Sequence, residues 1–124
     1  PGLRVQTPDA FARNPRQFDA ALSISSSEHD GLGRYGEPLD PNGDMRAMSN
    51  FKRLLKPGGI LFLAVPVGLD ALVWNAHRVY GRKRLPRLLE GWRTLAAYDF
   101  QNAMLDVGPL GGFDNQPVFV LTSE

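Results

Sequence analysis

Two histidines set among charged and polar neighbours are the side chains of this sequence best suited to move a proton near neutral pH. The first lies in Ser25-Ser26-Ser27-Glu28-His29-Asp30, where a carboxylate on either side can orient an imidazole acting as general base. The second lies in Asn75-Ala76-His77-Arg78-Val79-Tyr80 and leads into a basic cluster of Arg82, Lys83 and Arg84, with Arg87 and Arg93 nearby and only Glu90 opposing. Such a cluster can hold a phosphate or carboxylate of a substrate. The loop around His29 is acidic in turn, with Glu28, Asp30, Glu37, Asp40 and Asp44 against a single Arg34. The cations can therefore equally serve as internal partners of that loop.

Other motifs are weaker. Gly31-x-Gly33-x-x-Gly36 has the letters of a dinucleotide fingerprint, but that device needs its glycines to open a helix whose amino end holds a pyrophosphate. Here Pro38 and Pro41 intervene before any helical pattern, so the glycines are expected to fold a long loop tightly. Ser25-Ser26-Ser27 reads as a strand end, there being no Gly-x-Ser-x-Gly elbow. The histidines lack the i, i+4 spacing of a helical zinc site, and the absence of cysteine removes thiolate zinc sites, disulfides and thiol nucleophiles. No metal site is expected.

The elements that must position these residues can be read from periodicity. Residues 1–17 are polar and broken by Pro1, Pro8 and Pro15; at most Leu3 to Val5 forms a short strand and Asp9 to Arg13 a helical turn. Phe18 to Ser25 reads as a strand with both faces covered. From Asp44 to Leu55, Met45, Met48, Phe51, Leu54 and Leu55 fall on one helical face, with Asp44 as N-cap. Lys56-Pro57-Gly58-Gly59 stops that helix, and Ile60 to Val65 reads as a central strand of a parallel sheet. Strand, helix, strand make a βαβ unit with parallel strands. Leu69 to Val73 is expected to start a helix, and Leu85 to Glu90 to form another with Pro86 in its first turn. Trp92 to Tyr98 and Pro117 to Thr122 are read as a final strand pair, separated by a loop marked by Gly108, Pro109, Gly111, Gly112, Asp114 and Asn115. The two histidines then lie in segments that follow the two parallel strands, where open α/β sheets bind ligands.

The chain has 124 residues, 43% of them hydrophobic and 22% charged, which suits one globular unit and excludes wholesale disorder. The net charge of +1 argues against a nucleic-acid-binding field, and Trp74 and Tyr80 alone do not make the case for a nucleic-acid surface. No apolar run approaches the roughly 18 residues of a membrane span, so no membrane partner and a cytoplasmic location are expected. The 13 Gly and 10 Pro populate loops that are long for so small a domain, and the chain starts on Pro1 rather than Met.

Phe18 to Ser25 followed by Glu28-His29, then Leu54-Leu55-Lys56-Pro57-Gly58-Gly59 before the strand Ile60 to Val65-Pro66, resembles the second half of a class I S-adenosylmethionine-dependent methyltransferase. More narrowly, Glu28-His29-Asp30-Gly31-Leu32-Gly33-Arg34-Tyr35-Gly36 and Asn75-Ala76-His77-Arg78-Val79-Tyr80-Gly81 resemble the DUF268 family of methyltransferase-like proteins, from about residue 16 to the end. The resemblance implies an α/β, partial Rossmann-like methyltransferase fold: a mostly parallel sheet with an antiparallel final strand, its first strands missing. Residues 1–124 would then be the carboxyl-terminal portion of a larger domain, carrying its fourth to seventh strands.

In that fold S-adenosylmethionine is held mainly by a Gly-rich loop after the first strand and an acidic residue ending the second, and neither has a counterpart here. The resemblance leaves Asp9 beside the adenine and Ser25 and Ser26 toward the methionine portion. His29, Glu28 and His77 are the expected catalytic residues, with His29 as general base. Arg34, Tyr35, Asn75, Arg78 and Tyr80 are the expected substrate-binding residues, for an anionic small molecule or a sugar. The competing expectation is a non-catalytic scaffold or subunit, its open sheet covered by the missing half, a partner chain or a second copy.

Overall fold

The computed structural model describes residues 2–108 and 115–123. Pro8 and Thr7 start a short helix, α1 (Pro8–Arg13), with the Thr7 hydroxyl capping the Ala10 amide. Leu3 and Val5 precede it without regular structure, 98% and 91% exposed. The strand β1 (Phe18–Ile24) then leads, through a long loop, to the helix α2 (Gly43–Leu54) and the strand β2 (Leu55–Ala64). β1 and β2 are parallel, in register from Ala20 opposite Ile60 to Ile24 opposite Ala64. The βαβ expectation holds, with one refinement. Leu55 already pairs with Phe18, so Lys56 to Gly59 bulge out of the strand start, and Gly58 takes the positive φ that the bulge requires.

Two further strands complete the sheet, β5 (Trp92–Tyr98) and β6 (Val118–Ser123), in the order β1-β2-β6-β5. β6 is antiparallel to both β2 and β5, so β1, β2 and β5 run one way and the final strand runs the other. The expected strand pair at the end of the chain is present. Of the loop expected before it, Pro109, Gly111, Gly112 and Asp114 lie outside the described residues.

Between β2 and β5 the structure departs from expectation. Ala71–Val73 is not a helix but a strand, β3, paired antiparallel with β4 (His77–Val79). A helix of so few residues leaves most of its end groups unbonded, whereas the hairpin pairs them across the strands, closed by the Ala76 amide donating to Val73 O at 2.7 Å. The helix α3 (Arg84–Leu88) follows as expected, with Pro86 inside its first turn.

Alternation along the strands sends Leu61, Leu63, Val65, Phe119 and Leu121 to one face, where they pack with Met48 of α2 and Leu85 and Leu88 of α3. Each such burial contributes about 1.5–3 kcal/mol. The opposite face is not covered to the same degree. On β1, Leu22 is 72% and Ile24 53% exposed, and Ile60, Phe62, Val118 and Val120 beside them are only half-buried. The expectation that both faces of β1 are covered is therefore corrected. The helices α2 and α3 lie on the other side, and β1 pairs with no strand on its outer edge among the described residues.

Candidate functional site

The loop between β1 and α2 and the β3–β4 hairpin meet, and Arg78 is the clasp between them. Its side chain is buried, donating from Nη1 to Asp30 O at 2.6 Å and Glu28 O at 3.3 Å, and from Nη2 to Asp40 O at 3.3 Å and Pro41 O at 3.4 Å. A loop with no sheet partner must find donors for its inward carbonyls, and one guanidinium supplies four bonds.

Behind it lies Asp44, fully buried. It is not the N-cap: Asn42 precedes the helix, and Asp44 sits in the first turn. Its carboxylate accepts from Arg84 Nη2 at 2.7 Å, Arg84 Nε at 2.9 Å and the Tyr80 hydroxyl at 2.9 Å, with Arg78 Nε 3.7 Å away. Burial pushes the Asp44 carboxyl up, but the hydrogen bonds and charges of Arg84 and Arg78, with the Tyr80 hydroxyl, outweigh it and hold the group below its ordinary value. Burial, then the charge of Asp44, drives Tyr80 far above its ordinary value, so its phenol stays protonated. Arg78 and Tyr80, expected on a substrate, are thus spent inside the protein.

The histidines do come together. Their rings face edge-on with centroids 6.2 Å apart. His29 Nδ1 lies 2.6 Å from Ala76 O, and a carbonyl only accepts, so Nδ1 carries the hydrogen and Nε2 presents its lone pair. Nε2 is 3.5 Å from Glu28 Oε1, which also accepts from Ser25 Oγ at 2.8 Å. The Glu28 side chain is fully buried while that of His29 is 22% exposed, so the imidazole is the member of the pair that solvent can reach. Glu28 Oε2, Ser23 Oγ and Ser27 Oγ are buried without a hydrogen-bond partner among the described residues. His77 is buried, its Nδ1 3.2 Å from Arg78 O.

Ser25, at positive φ just past β1, is occupied by Glu28, and Ser26 is exposed. Asp9 stands exposed in α1, which stacks Phe11 on Phe18 at the amino end of β1. A seven-residue strand spans roughly 20 Å, so Asp9 and Ser25 lie at opposite ends of β1. These three residues do not assemble a pocket for S-adenosylmethionine.

Arg34, Tyr35 and Asn75 are exposed. The glycines around Arg34 and Tyr35 form turns, not a helix start: Gly31, Gly33 and Gly36 all have positive φ, and Glu37 accepts the Gly33 and Tyr35 amides at 3.1 and 2.9 Å.

A cleft of about 570 Å³ opens between this loop, the hairpin and α3, lined among others by Leu39, Leu72, Trp74, Arg78, Lys83 and Arg87. Asp70, at its edge, accepts the amides of Gly81, Lys83 and Arg84 at 2.9–3.0 Å. Trp74 stands out in the sequence only as an aromatic residue and Asp70 not at all, because no spacing rule links either to the loop across the cleft. The basic cluster divides: Arg84 turns to Asp44, Arg82 pairs with Asp106, and Lys83 and Arg87 line the cleft.

Among the described residues no helix is long and apolar enough to cross a membrane. The sequence profile of DUF268, described as a Caenorhabditis protein of unknown function, matches residues 3–107. No curated protein and no solved structure matches the chain.

Proposed function

The chain belongs to the DUF268 family, and from that premise we propose that it is the carboxyl-terminal half of a class I S-adenosylmethionine-dependent methyltransferase-like domain, contributing the acceptor side of the reaction. The observation that carries the reading is the sheet, in which three strands share a direction and the last runs against them. This is the strand pattern that the resemblance implies for the fourth to seventh strands. The open edge and apolar face of β1 agree with strands and helices packing there from an upstream half.

His29 and Glu28 stand just outside the carboxyl end of β1, where such sheets bind ligands. On this reading His29 Nε2 accepts the proton that an acceptor hydroxyl or amine must lose, while its Nδ1 stays bonded to Ala76 O and Glu28 fixes the ring. The acceptor is an anionic small molecule or a sugar, and the cofactor is held mainly by the upstream half.

The test uses the native polypeptide with its upstream residues. Calorimetry is expected to give micromolar affinity for S-adenosylmethionine, and His29→Ala to slow methyl transfer by about 10²–10⁴-fold with cofactor affinity kept. Native protein that gives no binding heat, or a fully active His29→Ala variant, overturns the reading. Micromolar binding by the 124 residues alone would overturn the division of labour between the halves. The second reading, a scaffold or subunit, is favoured by the inward commitment of Arg78 and Tyr80. It predicts native protein without cofactor affinity whose β1 face is covered by a partner chain or a second copy.

A further inference from the structure

We propose that the cleft between the glycine-rich loop, the β3–β4 hairpin and α3 is a binding site for a nucleotide-type ligand, its ring on Trp74 and its phosphate between Lys83 and Arg87. The inference rests on the cleft alone and holds whether or not methyl transfer occurs. Three observations carry it.

The first is shape. About 570 Å³ falls within the range of small-molecule sites, and the walls supplied by Leu39, Leu72 and Trp74 are apolar. The second is an aromatic surface kept in the open. Trp74, in the turn of the hairpin, is 66% exposed and Leu72, on β3, 54%, while the facing strand β4 is buried. A solvent-exposed indole lining a cleft is a stacking platform for a planar ring.

The third is charge. Every carboxylate beside the cleft has internal partners: Asp44 holds Arg84 and approaches Arg78, Asp40 holds Arg46 at 2.8 Å, and Asp70 is bonded to three main-chain amides. Lys83 and Arg87 also line the cleft, yet among the described residues neither has a carboxylate within 4.0 Å. Two such cations match the near-dianionic charge of a phosphate.

The experiment is calorimetric titration of the native polypeptide, without S-adenosylmethionine, using UDP as probe and uridine and inorganic pyrophosphate as its separated parts. UDP is expected to bind saturably, and each part about tenfold or more weaker. The double variant Lys83→Ala/Arg87→Ala and, separately, Trp74→Ala are each expected to weaken UDP about tenfold. All three side chains are exposed, and unchanged melting temperatures would confirm that the fold is kept. Absence of saturable UDP binding at about 10 mM, or affinity unchanged in either variant, overturns the proposal. Neither outcome bears on the methyltransferase reading, which is tested by cofactor binding to the native polypeptide.

Discussion

Arg78 and Asp44 are the buried charges behind the loop, Arg78 donating to four loop carbonyls and Asp44 accepting from Arg84 and the Tyr80 hydroxyl. Truncating Arg78→Ala removes a donor from four loop carbonyls, of which Asp40 O and Pro41 O keep another from Gly43 N and Arg84 Nη2, and removes a cation from beside a buried carboxylate. A loss of about 3–5 kcal/mol is expected, read from denaturant unfolding. Arg78→Lys should recover only part of it, because an ammonium lacks the planar fork that reaches carbonyls on two sides.

Asp44 makes a second prediction. Its folded value lies below its unfolded one, so its contribution is complete above about pH 4 and is lost as pH falls through the lowered folded value. Across that window the slope of stability with pH should fall in Asp44→Asn by as much as about 1.4 kcal/mol per pH unit. The same acid slope in both proteins would refute the assignment. The sequence offered Arg78 as an anion binder by its type, and Asp44 as a cap by its position. Neither type nor position reveals that both turn inward, because the loop carbonyls that Arg78 serves and the Tyr80 and Arg84 donors that serve Asp44 lie 36 to 50 positions away along the chain.

Among the elements, β1, α2 and β2 were legible because their apolar periods are long and unmixed. Residues 69–80 were not, since a short apolar run ending in Val73 suits helix and strand alike, and pairing with His77 to Val79 decided the matter. The glycine loop was read as a loop for the right reason, the delay before any helix. Packing makes its first glycine obligatory, because Gly31 has φ 78 and a Cβ there would collide with the Asp40 carbonyl. Gly31→Ala is expected to cost about 1–3 kcal/mol and to speed amide hydrogen exchange of Asp40, whose N–H bonds Gly31 O at 2.9 Å. Unaltered exchange at Asp40 would show that the loop does not depend on that turn.

For the molecule as a whole, the half-covered sheet has consequences in solution. Leu22 and Ile24 stand on an edge strand whose outer side pairs with no strand among the described residues, beside a half-buried apolar face, a surface that self-associates or takes up apolar dyes when nothing packs on it. Sedimentation of the 124-residue chain should reveal concentration-dependent association that Leu22→Lys/Ile24→Lys reduces. A strictly monomeric, dye-silent chain would contradict this.

The sequence by itself determined the parallel β1–β2 unit, the helix between them and the antiparallel ending, since these follow from local periodicity and turn chemistry. It also marked the two histidine loops as the places to look. Only the tertiary structure decided that His29, Glu28 and His77 meet while Arg78 and Tyr80 are consumed in bonding loop carbonyls and Asp44. It likewise decided that Lys83, Arg87 and Trp74 line a cleft and that one sheet face stands open. The physical reason is common to all three: partners in a hydrogen bond or a packed layer are chosen by the folding of distant segments onto one another, and residue order carries no mark of that choice.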